Sequence, residues 1–76
     1  MVDLSILEEL IQGNHLTRTT GKVLREFKFH GNIVTVKRRL VFLESEGFIE
    51  RGFRIKKADT FFITENGIKF FKEASN

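Results

Sequence analysis

Between Asn32 and Gly52 the apolar repeat of this chain changes its period, and no other feature constrains the fold as strongly. In the stretch NIVTVKRRLVFLESEGFIERG, Val36, Leu40 and Leu43 recur at helical spacing; from Ile49 onward the alternation is every second residue. A helical period lays apolar residues along one face of a helix, whereas a period of two lays them on one side of a strand. Asn32 is a good N-cap, because its side chain accepts a first-turn backbone N–H that lacks an intrahelical partner. Gly47 stands where a left-handed residue ends a helix, with Phe48 and Ile49 as apolar anchors beyond it. The helix therefore hands over directly to a strand. With Val36 at the centre of the inner face, steps of about 100° place Leu40 and Leu43 beside it. Val34, Arg38 and Val41 then point away, flanked by Lys37, Thr35 and Phe42. The run Lys37, Arg38, Arg39 cannot be buried cheaply. One side of this helix is committed to folding, and the other is left for a partner.

The remaining segments supply what the inner face packs against. IERGFRI and TFFIT read as strands joined by a tight turn in KKAD. A two-stranded ribbon is marginal alone and needs a helix to lean on, with Phe53, Phe61 and Ile63 as the contacts. TENGIKFFKEA reads as a short helix capped by Thr64, with Ile68 and Phe71 facing in. DLSILEELIQGN reads as an opening helix with Leu4, Leu7, Leu10 and Ile11 on one face, Asp3 as its cap and Gly13-Asn14 as its stop. TRTTGKVLREFKF reads as a second amphipathic helix, Thr20, Val23, Leu24 and Phe27 inward, with Arg18, Lys22 and Arg25 as a stripe of cations opposite. Gly21 weakens such a helix by about 1 kcal/mol relative to Ala, which close packing against a neighbouring helix would explain. KFHGN then turns the chain. The expectation is an α+β fold of four helices and a hairpin, one domain over residues 1–76.

Composition narrows the class. A chain of 76 residues has room for one core and hides only about 60% of its unfolded surface. Cysteine is absent, so neither disulfides nor thiolate metal sites hold the fold. MVDLSILEELIQGN does not resemble a signal peptide, and no apolar run approaches the ~20 residues of a membrane span. These readings point to an intracellular, cytoplasmic protein with no membrane contact. The net charge of +3 is modest, but its distribution is uneven. Residues 15–43 carry Arg18, Lys22, Arg25, Lys28, Lys37, Arg38 and Arg39 against Glu26 alone, and residues 51–57 add Arg51, Arg54, Lys56 and Lys57 without an acid. One electropositive surface is the natural reading; an ordinary solvated face, divided by Glu44, Glu46 and Glu50, is the bland one. His15 and His30 lack ligand spacing, and no nucleophile–base pair, paired carboxylate site or phosphate-cradling glycine loop is present. The expectation is a non-enzyme without metal or cofactor.

TVKRRLVFLESEGFIERG resembles the recognition helix and following strand of winged helix-turn-helix transcription regulators, through Thr35, Val36, Arg38, Leu40, Leu43, Glu44, Gly47, Phe48 and Ile49. FFITENGIKFF is similar to the family's second wing strand and the Thr-x-x-Gly opening of its last helix, here Thr64 and Gly67. The likeness spans residues 16–71 and is nearest the compact archaeal versions found on chromosomes, viruses and plasmids of thermophiles. It implies a three-helix core, a two-stranded β wing and a short C-terminal helix. It also implies double-stranded DNA as partner, with the third helix in the major groove and the basic wing on the adjacent backbone or minor groove.

Residue chemistry gives each position a role. The guanidinium of Arg38 can pair two N–H groups with guanine O6 and N7; Thr35 and Val34 suit a thymine methyl, and Asn32 a base or phosphate near the helix start. Lys37 and Arg39 diverge from the outward direction and suit phosphates. Arg18, Lys22 and Arg25 belong on the DNA backbone, which the preceding helix of the motif crosses. Arg54, Lys56 and Lys57 would set the wing against an adjacent phosphate or a narrow minor groove; alternatively, lysines there merely keep a hairpin edge from pairing with another chain. Exposed aromatics often mark partner surfaces, and Phe42 and Phe70 are the ones expected outside.

Three functions compete. A sequence-specific regulator would act as a homodimer on half-sites roughly 34 Å apart, joined through Leu4, Ile6, Phe70 and Phe71 on the first and last helices. A chromatin-type coating protein would draw its affinity from phosphates alone. A winged helix inside a transcription or replication complex would use the same surface for protein contact.

Overall fold

The computed structural model describes residues 4–27 and 31–75. The expected cap Asp3 and the Lys28, Phe29 and His30 of the connecting turn lie outside them. The architecture is α+β, with three α-helices and a three-stranded antiparallel sheet. Along the chain run α1 (Leu4–Gln12), β1 (Lys22–Val23), a 3-10 turn (Leu24–Glu26), α2 (Ile33–Ser45), β2 (Ile49–Arg51), β3 (Thr60–Ile63) and α3 (Glu65–Ala74).

α1 buries Ile6, Leu7 and Leu10, with Leu4 and Ile11 partly covered beside them. It stops as expected at Gly13-Asn14, where the left-handed residue is Asn14 (φ 57°) and the His15 N–H returns to the Leu10 carbonyl at 2.9 Å.

The second amphipathic helix does not form over the described residues. His15–Thr20 is instead a loop tied by one hydroxyl: Thr20 Oγ1 accepts from Leu16 N at 3.1 Å and from Thr17 N at 3.0 Å. Threonine hydroxyls that satisfy nearby backbone donors compete with the helix, and Thr-Thr-Gly-Lys-Val is a poor helix sequence in any case. The chain then pairs with β3, Lys22 opposite Phe61 and Val23 opposite Thr60. Gly21 serves this approach, not a helix–helix contact. A Cβ there would lie 2.6 Å from Thr60 Oγ1.

β3 is central in the order β1-β3-β2, and Thr60, Phe61, Phe62 and Ile63 are all buried. The core joins Ile6, Leu7 and Leu10 of α1, Phe27, Val36, Leu40 and Leu43 of α2, Ile49, Phe61 and Ile63. Phe27 meets Phe61 edge to face at 6.5 Å, a geometry the ring quadrupoles favour.

β2 is shorter than expected because its partner changes after Arg51. Gly52 N still donates to Thr60 O, but Phe53 N donates to the Arg18 carbonyl. The hairpin rejoins at the Ile55–Ala58 bridge. Phe53, expected in the core, is 60% exposed. The tight turn falls on Lys56 and Lys57, both left-handed (φ 48° and 67°), which makes it a type I′ turn.

α3 begins as anticipated, with Thr64 Oγ1 accepting from Gly67 N at 3.0 Å while donating to the Gly47 carbonyl at 2.7 Å. Gly67 is buried, and a Cβ on it would run into the Phe48 carbonyl. Phe70, expected outside, is half-buried and stacks on Phe48 at 4.6 Å. α1 packs on α3 and β3. Of the four residues expected at a dimer interface, Ile6 is fully buried, while Leu4, Phe70 and Phe71 pack against the chain's own core.

Candidate nucleic-acid interface

α2 is oriented by fixtures at both ends. Asn32 Oδ1 accepts from Thr35 N at 2.9 Å. At the other end Gly47 (φ 81°) lets Phe48 N reach Leu43 O at 3.1 Å and Gly47 N reach Glu44 O at 3.0 Å. These bonds satisfy carbonyls the helix would otherwise leave open. Between them Val36, Leu40 and Leu43 are buried, so the rotation of the helix about its axis is set.

The opposite face is open. Val34 is 64% and Ile33 55% exposed, and Lys37, Arg38, Arg39, Val41 and Phe42 are exposed as well. Among the described residues neither Lys37 nor Arg38 has a hydrogen-bond or ion-pair partner. Two expected readers are less available. Thr35 is half-buried, and the Asn32 carbonyl oxygen is engaged in the cap.

The three cations expected to form a stripe on a preceding helix are dispersed, because that helix is replaced by a loop, a strand and a single turn. Lys22, on β1, turns toward α1 and pairs with Glu9 at 3.0 Å, both side chains largely covered, and its ammonium lies 5.5 Å from the Phe27 ring centroid. Arg18 lies in the loop, 3.9 Å from Glu50. Arg25 sits exposed on the 3-10 turn.

The hairpin divides its charges between internal and free. Arg54 donates to the Lys57 carbonyl at 2.6 Å and lies 3.5 Å from Asp59. Lys56 and Lys57 are exposed at the tip, and among the described residues neither side chain has a hydrogen-bond or ion-pair partner. A left-handed conformation costs a residue with a Cβ roughly 1–2 kcal/mol, so a glycine or asparagine would serve the turn better.

Arg51, which nothing in its local sequence marks out, links the two parts. Its Nε donates to Glu44 Oε2 at 3.0 Å and its Nη1 to Asp59 Oδ2 at 3.1 Å. The guanidinium also lies 5.4 Å from the Phe61 ring centroid. The last turn of α2 is thereby tied to the base of the hairpin. The one signal in the sequence was a cation directly after Glu50 in a short strand, which is too common to single it out. The exposed Ile33, Phe53 and Ile55 were likewise missed, since apolar residues are read as core by default.

Among the described residues no group of three or more His, Asp or Glu is placed to hold a metal ion, and no helix is long and apolar enough to cross a membrane. Comparison with protein-family models, with curated proteins and with solved structures finds no match.

Proposed function

We propose that the protein is a DNA-binding transcription regulator of winged helix-turn-helix type, with α2 in the major groove and the Lys56–Lys57 hairpin on the neighbouring backbone or minor groove. The observation that carries this reading is the outer face of α2. Its axis and rotation are fixed by caps and core contacts, yet Lys37 and Arg38 have no partners among the described residues and sit beside exposed Val34. An α-helix fits the major groove of B-DNA, and unpaired cations on its flank suit phosphates. The link from Glu44 through Arg51 to Asp59 supports it further, since a rigid relation between helix and hairpin lets both meet one duplex together.

The backbone contacts differ from those of a stripe on a preceding helix. Lys37, Lys56 and Lys57 carry them, with Arg18, Arg25 and Arg39 at the margin, and Lys22 is structural. Titration of random-sequence duplex by fluorescence anisotropy tests the proposal. Affinity should fall steeply as salt rises from about 50 to 200 mM, and undetectable binding at the lower concentration would reject it.

A second reading, contact with a protein inside a larger transcription or replication complex, is favoured by Val41 and Phe42, exposed together toward the end of α2. Binding that strengthens with salt, or a complex lost on Phe42→Ala but indifferent to Arg38→Ala, would select it.

A further inference from the structure

We infer that the duplex sequence taken by the outer face of α2 is rich in thymine and holds a single guanine within about two base pairs of a contacted thymine. This rests on the DNA-binding reading above and concerns what the helix would read.

The inference follows from an inventory of hydrogen-bonding groups on that face. Asn32 has its side-chain oxygen turned onto Thr35 N in the cap, so its amide is directed at the helix's own first turn and not presented as the paired acceptor and donor that an adenine edge takes. Ser45, at the far end, turns its hydroxyl back onto the Phe42 carbonyl at 2.7 Å. Thr35 is half-buried. Glu44, the carboxylate that α2 could offer to a cytosine amine, is held by Arg51 at 3.0 Å. One directional group remains on the row through Val34 and Val41: the guanidinium of Arg38.

The rest of the row is apolar. Val34 is 64% and Ile33 55% exposed, and Val41 lies about two turns beyond Val34. In the major groove thymine is the base that presents an apolar group, its C5 methyl. Adenine and cytosine present amino groups there, and a valine or isoleucine laid against these would strip their water without replacing it. Guanine O6 and N7 match the fork of an arginine. Val34 and Arg38 are four residues apart, about 6 Å along the axis, which is less than two base-pair steps of about 3.4 Å. The guanine and the thymine therefore lie close together.

The test is selection of duplexes from a random pool, followed by replacement of each thymine in the enriched motif with deoxyuridine, which removes the methyl and leaves the pairing edge. Binding should weaken about fourfold for each covered methyl. Val34→Ala, at an exposed position where the fold does not depend on the side chain, should bind the thymine duplex less tightly and lose most of the thymine–uracil difference. Enrichment of a motif without thymine, binding without any enrichment, or equal affinity for thymine and uracil duplexes overturns the inference while leaving DNA binding intact. Failure to bind any member of the pool at low salt is a different result, and it removes the proposed function itself.

Discussion

Residues 17–26 and helix α2 are built from similar material, three cations each alongside apolar residues, and they come to opposite ends. In α2 the caps at Asn32 and Gly47 hold the helix, the apolar row goes inward, and Lys37 and Arg38 stay outside, unpaired among the described residues. In residues 17–26 the threonine hydroxyls close a loop and Lys22 joins the edge of β3. Its cations end in three unrelated settings, one of them against Glu9. Whether a cation is free for a partner is decided by the backbone beneath it, not by its spacing along the sequence.

The largest test of this contrast is Gly21→Ala. A helix through residue 21 would gain about 1 kcal/mol from the change. A strand edge pressed on buried Thr60, with a Cβ 2.6 Å from its hydroxyl, should lose about 2–3 kcal/mol by overpacking. Urea denaturation reads the sign directly.

Arg38→Ala addresses the other region. It should cost about 1–3 kcal/mol of binding to a selected duplex and less to a random one, with stability unchanged. Equal losses on both duplexes would reduce Arg38 to a phosphate contact.

Lys22→Ala sharpens the comparison. It should remove about 1–2 kcal/mol of folding stability, because the largely covered Glu9 loses its cation. DNA affinity and its salt dependence should stay as they were. A shallower salt slope would mean that Lys22 reaches DNA after all.

The smallest effect is expected at the hairpin tip. Lys57→Gly should raise stability by about 1 kcal/mol by relieving the left-handed lysine and lower the salt slope by about one counterion. Opposite signs in the two measurements would distinguish a cation kept for a partner from one kept only to protect an edge.

What could be read from the sequence was local. Asn32 and Thr64 cap the helices they precede, Gly47 is left-handed, and Val36, Leu40 and Leu43 face in, because each depends on residues within one or two turns. β1 was not readable, since its two residues are a strand only by virtue of β3, nearly forty positions later. The pairing of Lys22 with Glu9 and the double attachment of Arg51 were hidden because each joins different elements that only the fold brings together. Lys56 and Lys57 escaped for another reason, as lysine carries no signal for a conformation that glycine and asparagine normally supply. The outward position of Val34 and Arg38 was legible. That Asn32 and Thr35 would be partly withdrawn from the same face was not, because a cap that fixes a helix also spends the oxygen that might have read a base.

The Thr64 hydroxyl, which bonds the Gly47 carbonyl and the Gly67 amide at once, gives the molecule a shared fastening. Fraying of α3 from its first turn releases the exit of α2, and loosening that exit strips α3 of its start. Amide protons at the two places should therefore exchange with deuterium at matched rates, and a groove-bound α2 should slow exchange at the beginning of α3, on an element that touches no nucleotide.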